Sequence, residues 1–203
     1  MAFRDFTLEQ VAQTLGVTTR ETTLFPERLP LVVPSWLIET LNRRTQLSLI
    51  SEKARSEFIV VPILMASREL CPSPLAIFSG QRLDVDPERG LVGECDFILA
   101  ATAPVPPLRA PIATIVEAKK NDIEIGLGQC VAQMVAARMF NQAGGRNERS
   151  VYGCVTTGEA WQFLQLLDDQ ALIDSKRYYI DDVEAILGAI LTIVGNFGDQ
   201  KSN

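Results

Sequence analysis

The run Pro111-Ile112-Ala113-Thr114-Ile115-Val116 is apolar and rich in β-branched residues, and it ends abruptly in Glu117-Ala118-Lys119-Lys120. Branching at Cβ favours extended backbone. A strand without polar alternation has to be covered on both faces, because neither side offers water a polar surface. The segment therefore predicts a buried strand inside a sheet flanked by helices, with charge concentrated at its C-terminal end.

The surrounding pattern agrees with an α/β arrangement. Thr7-Leu8-Glu9-Gln10 has capping-box spacing and opens a short helix through Val11 and Leu15 that stops at Gly16. Prolines punctuate Phe25 to Pro34, which reads as extended linker or edge strand, so residues 1–34 form an N-terminal helical arm and linker. From Ser35 to about Leu70 the pattern is helical, as two helices. Trp36, Leu37 and Leu41, then Ala54, Phe58, Val61, Leu64 and Met65, recur at helical spacing, with a kink expected at Pro62. Strands follow at 75–78, 81–85, 91–100 and 112–120. A helix over 126–142 carries Leu127, Val131, Met134 and Val135 on one face and ends at Gly144-Gly145. Strands at 151–156, 161–167 and around 175–180 precede a last amphipathic helix over 181–194. The 203 residues suit one domain, since domains hold roughly 100 to 200 residues.

Composition narrows the chemistry. There is no histidine, which removes imidazole acid–base catalysis, Ser-His-Asp triads and imidazole-based zinc sites. Cys71, Cys95, Cys130 and Cys154 are scattered singly in or beside apolar runs and read as reduced, buried thiols. What remains is carboxylates, lysine, or a hard metal ion on oxygen ligands. The start MAFRDFTLEQ lacks the apolar run of a secretory signal and no stretch is long enough to span a bilayer, so a cytoplasmic location without membrane contact is expected. The net charge of −6 means that any phosphate backbone must meet a local basic patch.

Side chains alternate along a strand, so Glu117 and Lys119 project from one face. Asp96 lies inside the preceding apolar strand, Cys95-Asp96-Phe97-Ile98-Leu99, where an ionised carboxylate needs a partner or a metal. If the two strands are neighbours, Asp96 and Glu117 can converge on one hard cation, with the Ala118 carbonyl as a third oxygen.

Asp96 followed by Glu117-Ala118-Lys119 resembles the signature of the PD-(D/E)XK nuclease superfamily, with Cys95 where the name pattern has proline. Glu57 resembles the glutamate of that family's first core helix, and Gly128-Gln129-Cys130-Val131-Ala132-Gln133 its glutamine-bearing helix. The likeness covers roughly residues 51–167 and is nearest in pattern to the nuclease domains of type I restriction subunits and RecB-like enzymes. It implies a restriction endonuclease-like αβββαβ core and magnesium (or manganese) held by Asp96, Glu117, the Ala118 carbonyl and Glu57. It also implies Lys119 as the group that activates water, Gln129 and Gln133 in support, and hydrolysis of phosphodiester bonds in nucleic acid, DNA in preference to RNA. A homodimer or larger complex would supply positive surface that one chain lacks.

Plainer readings stand beside these. Glu117 with Lys119 or Lys120 can be a strand-end salt bridge, and Gln129 and Gln133 a polar stripe on an amphipathic helix. Glu52 competes with Glu57. Glu94 is expected to face away from Asp96, and Lys120 away from Glu117. Arg138, Arg146 and Arg149, like Arg43-Arg44, suit either a nucleic-acid backbone or solvent, while Trp161 and Phe163 suit core packing. The alternative to an enzyme is a catalytically inactive protein of the same fold that binds a protein or nucleic-acid partner.

Overall fold

The computed structural model describes residues 1–147 and 150–198; Arg149 lies outside them. The chain folds as α/β, with a mixed, open eight-stranded sheet flanked by helices. The strands are β1 (Thr18–Thr22), β2 (Ala76–Arg82), β3 (Glu94–Ala100), β4 (Ile112–Ala118), β5 (Ser150–Thr156), β6 (Ala160–Leu167), β7 (Gln170–Asp174) and β8 (Tyr178–Tyr179). Their order is β1-β7-β6-β5-β4-β3-β2, with β8 alongside β6. The β4–β5 and β1–β7 pairs are parallel and the rest antiparallel.

Every residue of β4 is buried, as its apolar run requires. One face of the sheet packs against α5 (Ile123–Ala143) and α1 (Leu8–Leu15) through Ile98, Ile115, Val155, Val131 and Met134. The other packs against α2 (Ser35–Arg43), α4 (Val61–Leu70) and α6 (Val183–Gly198) through Phe97, Val116, Trp161, Phe163 and Ile186. Trp161 and Phe163 are thus core residues. All four cysteines are buried and none is joined in a disulfide. No described helix is long and apolar enough to cross a membrane.

Local chemistry accounts for the element ends. Thr7 Oγ1 accepts from the Gln10 backbone amide and the Thr7 backbone amide donates to Gln10 Oε1, which starts α1; Gly16, at φ 72°, ends it in the left-handed conformation. Asp122 caps α5 by accepting from the Glu124 amide at 2.9 Å. Gly128 lets α5 press against the N-terminal segment: a Cβ there would lie 2.4 Å from the Thr7 carbonyl carbon.

Several expectations need correction. The residues at 75–78 and 81–85 belong largely to one strand, β2, and the strands expected over 91–100 and 112–120 are shorter. The strand expected near 175–180 is only the two-residue β8, and β1 and β7 had no counterpart in the sequence pattern. The second helix of the 35–70 stretch begins as α3 (Glu52–Arg55) and continues into α4 through a π turn over Ser56–Val60, where the Val61 amide reaches back to the Ser56 carbonyl. That widened turn ends just before Pro62, which has no amide hydrogen to bond, so the helix passes the proline by widening. The extra residue also shifts the buried face. Ile59, Val60, Ile63 and Leu64 point inward, whereas Phe58 and Met65, expected inside, are exposed.

Gly128→Ala should destabilise the fold by about 1–3 kcal/mol, the usual cost of overpacking, by prising residues 6 and 7 off α5. Urea denaturation of the variant against wild type measures this; an unchanged midpoint would mean that the N-terminal segment yields freely.

Candidate active site

The candidate residues gather at the C-terminal ends of the parallel strands β4 and β5, the position where open α/β sheets form ligand crevices. In the β3–β4 ladder Phe97 pairs with Val116, so continuing the register by one residue sets Asp96 opposite Glu117. Asp96 Oδ2 accepts from the Ala118 amide at 2.7 Å, which ties the two strand ends together and puts the Ala118 peptide against the carboxylates. Just past β4, the Lys119 amide donates to the Thr156 carbonyl at 2.7 Å and so holds the lysine beside β5.

Glu117 is only 2% exposed. Its Oε1 accepts from Lys119 Nζ at 2.6 Å and its Oε2 from Gln133 Nε2 at 2.8 Å. Lys119 Nζ also donates to Gln129 Oε1 at 3.0 Å. Gln129 and Gln133 stand one turn apart on α5 and therefore on one stripe, and both aim that stripe at the β4 end. Gln133 is fully buried and its Oε1 has no partner among the described residues. Gly126 completes the fit, since a Cβ there would lie 3.1 Å from Lys119 Cε and Cγ. The sequence signal for Gly126 is a glycine inside a helical pattern, which marks close approach of a neighbour.

Electrostatics follow from this burial. Desolvation pushes the Glu117 carboxyl up to about 7, with the Asp96 charge adding to it and Lys119 opposing. Asp96 is also raised, chiefly by burial, against the pull of the Ala118 amide and Lys119. Burial works against the Lys119 ammonium, but Glu117, Asp96 and, more weakly, Glu52 outweigh it and raise its pKa. The group thus carries two reluctant carboxylates and one firmly held cation.

The helix carboxylates sit differently from expectation. Glu57 does not point inward: its side chain is 52% exposed and lies 3.8 Å from Lys53, because the π turn carries its stripe away from the core. Glu57, Glu52, Glu94 and Asp96 nonetheless line one open cavity of about 340 Å³. Glu94 therefore shares the side of Asp96, as their spacing of two along the strand demands, and is exposed at its rim. Lys120 is exposed. Arg138 bonds to the Asp168 carbonyl and lies 3.5 Å from Asp169, so it braces the turn between β6 and β7. Arg44 lies near Glu159 and Asp181.

No group of three or more histidine, cysteine, aspartate or glutamate side chains among the described residues is arranged to hold a metal ion. The donor set nevertheless suits a hard cation. Both adjacent carboxyls are raised chiefly by burial, with the Asp96 charge adding to the rise at Glu117, each carboxylate oxygen keeps a second lone pair, and positive charge would relieve both. The chain matches no protein-family model and no curated protein. Fold and site together define an α/β protein with a buried carboxylate–lysine centre at the ends of two parallel strands.

Because folded Glu117 keeps its proton to a higher pH than the unfolded chain does, the folded state binds more protons between the ordinary value of 4.5 and about 7. Stability should fall as pH rises through that window, with Asp96 acting in the same sense. Glu117→Gln should flatten the dependence, measurable as urea midpoints at pH 5 and pH 7.5; an equal slope in both chains would show that Glu117 is not the titrating group.

Proposed function

We propose that this chain is a metal-dependent nuclease of the PD-(D/E)XK type, hydrolysing phosphodiester bonds in nucleic acid. The observation that carries the reading is the contact of Lys119 with Glu117 at 2.6 Å, with Asp96 bonded to the intervening Ala118 amide. The fold supports it: a helix, the antiparallel strands β2, β3 and β4, the helix α5, and then β5 parallel to β4 follow the order of a restriction endonuclease-like core.

Asp96 and Glu117 would hold magnesium or manganese, with the Ala118 peptide beside them and Glu52 or Glu57 reaching the cavity from α3 and the π turn. A hard divalent cation there would polarise the scissile phosphate and lower the pKa of a water. Lys119 supplies a fixed positive charge next to that position and stabilises negative charge as it develops on the phosphate. Gln129 holds the ammonium from the α5 side, and Gln133 holds Glu117, so the lysine does not swing into solvent. The short reach between these groups limits the reorganisation the reaction requires.

A second reading, a non-catalytic subunit of the same fold, is favoured by one specific feature. Both Glu117 oxygens already have partners within the chain, an arrangement that is satisfied without metal or substrate.

The two readings separate on cleavage of single-stranded and duplex DNA and of RNA with added magnesium or manganese. Lys119→Ala should lower the rate by about 10²–10³ or more, the scale of losing one positioned charge in a reaction site, with an unchanged circular dichroism spectrum. Metal-dependent cutting by the variant at the wild-type rate would falsify the catalytic reading.

A further inference from the structure

A second cavity, of about 710 Å³, opens on the α5 side of the sheet between the first turns of α5 and the β1–β7 edge. Its volume lies within the range of about 300–1,000 Å³ typical of ligand sites. It neighbours the candidate active site. Val155 pairs with Glu117 on one side and with Gln162 on the other, and Gln162 lines the cavity. Two strand spacings, about 10 Å, thus separate that lining from Glu117, with the first turns of α5 between them.

The lining is built. Gln162 is buried, and its Oε1 accepts from Arg177 Nε at 2.9 Å while its amide nitrogen is anchored on the Asp174 carbonyl. Arg177 is bonded at its other end to Glu124 on α5. The guanidinium is therefore held in place across the cavity wall. Two residues on, Tyr179 lines the same cavity and is 54% exposed, whereas Tyr178 turns into the core against Phe163. Leu8, Leu127 and Ile173 contribute apolar surface.

Charge selects the ligand. Glu21, Glu124 and Asp174 line this space together with Arg20 and Arg177; Arg177 is already paired with Glu124, and the three carboxylates outnumber the two guanidiniums and so disfavour a phosphate. They suit a neutral, flat group with amino donors on its edge. A nucleobase has that chemistry: its face stacks on tyrosine or guanidinium, and its exocyclic amino group donates to carboxylates.

We propose that this cavity is a subsite for an unpaired nucleobase of the strand whose phosphate lies at Lys119, so that the substrate is single-stranded nucleic acid. The proposal rests on the nuclease reading. A base inside a duplex is stacked on both faces and hydrogen-bonded at its edge, so it enters such a cavity only after leaving the stack.

The test is fluorescence anisotropy with an end-labelled single-stranded oligodeoxynucleotide and the blunt duplex of the same sequence. It is run in EDTA on the wild-type chain and with magnesium on Lys119→Ala. The single strand should bind more tightly than the duplex. Tyr179→Ala should weaken single-strand binding by at least about fivefold, the low end for one stacked base, and Tyr179→Phe should bind like wild type. Replacing single nucleotides by abasic ones should reveal a position whose loss weakens wild type but not Tyr179→Ala. Equal single-strand affinity of Tyr179→Ala and wild type, or a duplex bound as tightly as the single strand, overturns the subsite. If Tyr179→Ala binds normally while Lys119→Ala has lost cleavage, the nuclease reading survives and the subsite does not. Base-dependent binding at Tyr179 with cleavage indifferent to Lys119 leaves the subsite and removes the catalytic reading.

Discussion

Glu117 is a carboxylate inside the sheet's most buried strand, and the geometry of the region depends on how its charge is accommodated. Removing an ion from water costs several kcal/mol even after the protein relaxes. The chain offsets that cost with an ammonium two residues along the same strand direction and an amide from the helix above. Both partners constrain their surroundings. Lys119 requires β4 to end beside β5 and α5 to carry glycine at position 126. Gln133 requires α5 to cross the sheet with its polar stripe, rather than another apolar row, facing the strand end. Asp96 is drawn in by the Ala118 amide, and its charge compounds the desolvation of Glu117. Replacing such a group with well-packed hydrocarbon is often neutral or stabilising, so packing alone does not account for the cluster.

The parts of the fold legible in the sequence were those with strong local chemistry. The capping box at Thr7 and Gln10, the glycine stop at Gly16, the apolar stripe of α5 and the β-branched run of β4 each leave a pattern that tertiary contacts had no need to override. The β1–β7 pair left none. Four of the five β1 residues are exposed, so it lacks the period-two burial from which strands are recognised, and its pairing with β7 is a long-range choice. The helical face before Leu70 departs from the sequence spacing for a local reason: that spacing assumes uniform turns, and the π turn over Ser56–Val60 inserts a residue.

At the site, the residue types and their spacing were readable, but their contacts were not. Nothing in the sequence distinguishes Gln129 and Gln133 as a solvated stripe from the same residues bonded to Lys119 and Glu117. The difference lies in which face of α5 meets the sheet. Glu57 illustrates the converse, since its outward turn follows from the π turn in which it lies. Strand alternation by itself puts Glu94 on the side of Asp96, and the two line one cavity.

The outer parallel pair has a bearing on how the molecule assembles over time. Thr18 to Thr22 pair with Gln170 to Asp174, so the sheet edge is completed by segments from near opposite ends of the described chain. Closing so long a loop is entropically slow and is rewarded only when the intervening sheet is in place. During synthesis the early segment must wait, unpaired, until residues 170–174 have left the ribosome. Its threonine-rich, charged composition then serves a kinetic purpose, because a polar strand of this kind is a poor template for pairing with the wrong chain in the interval.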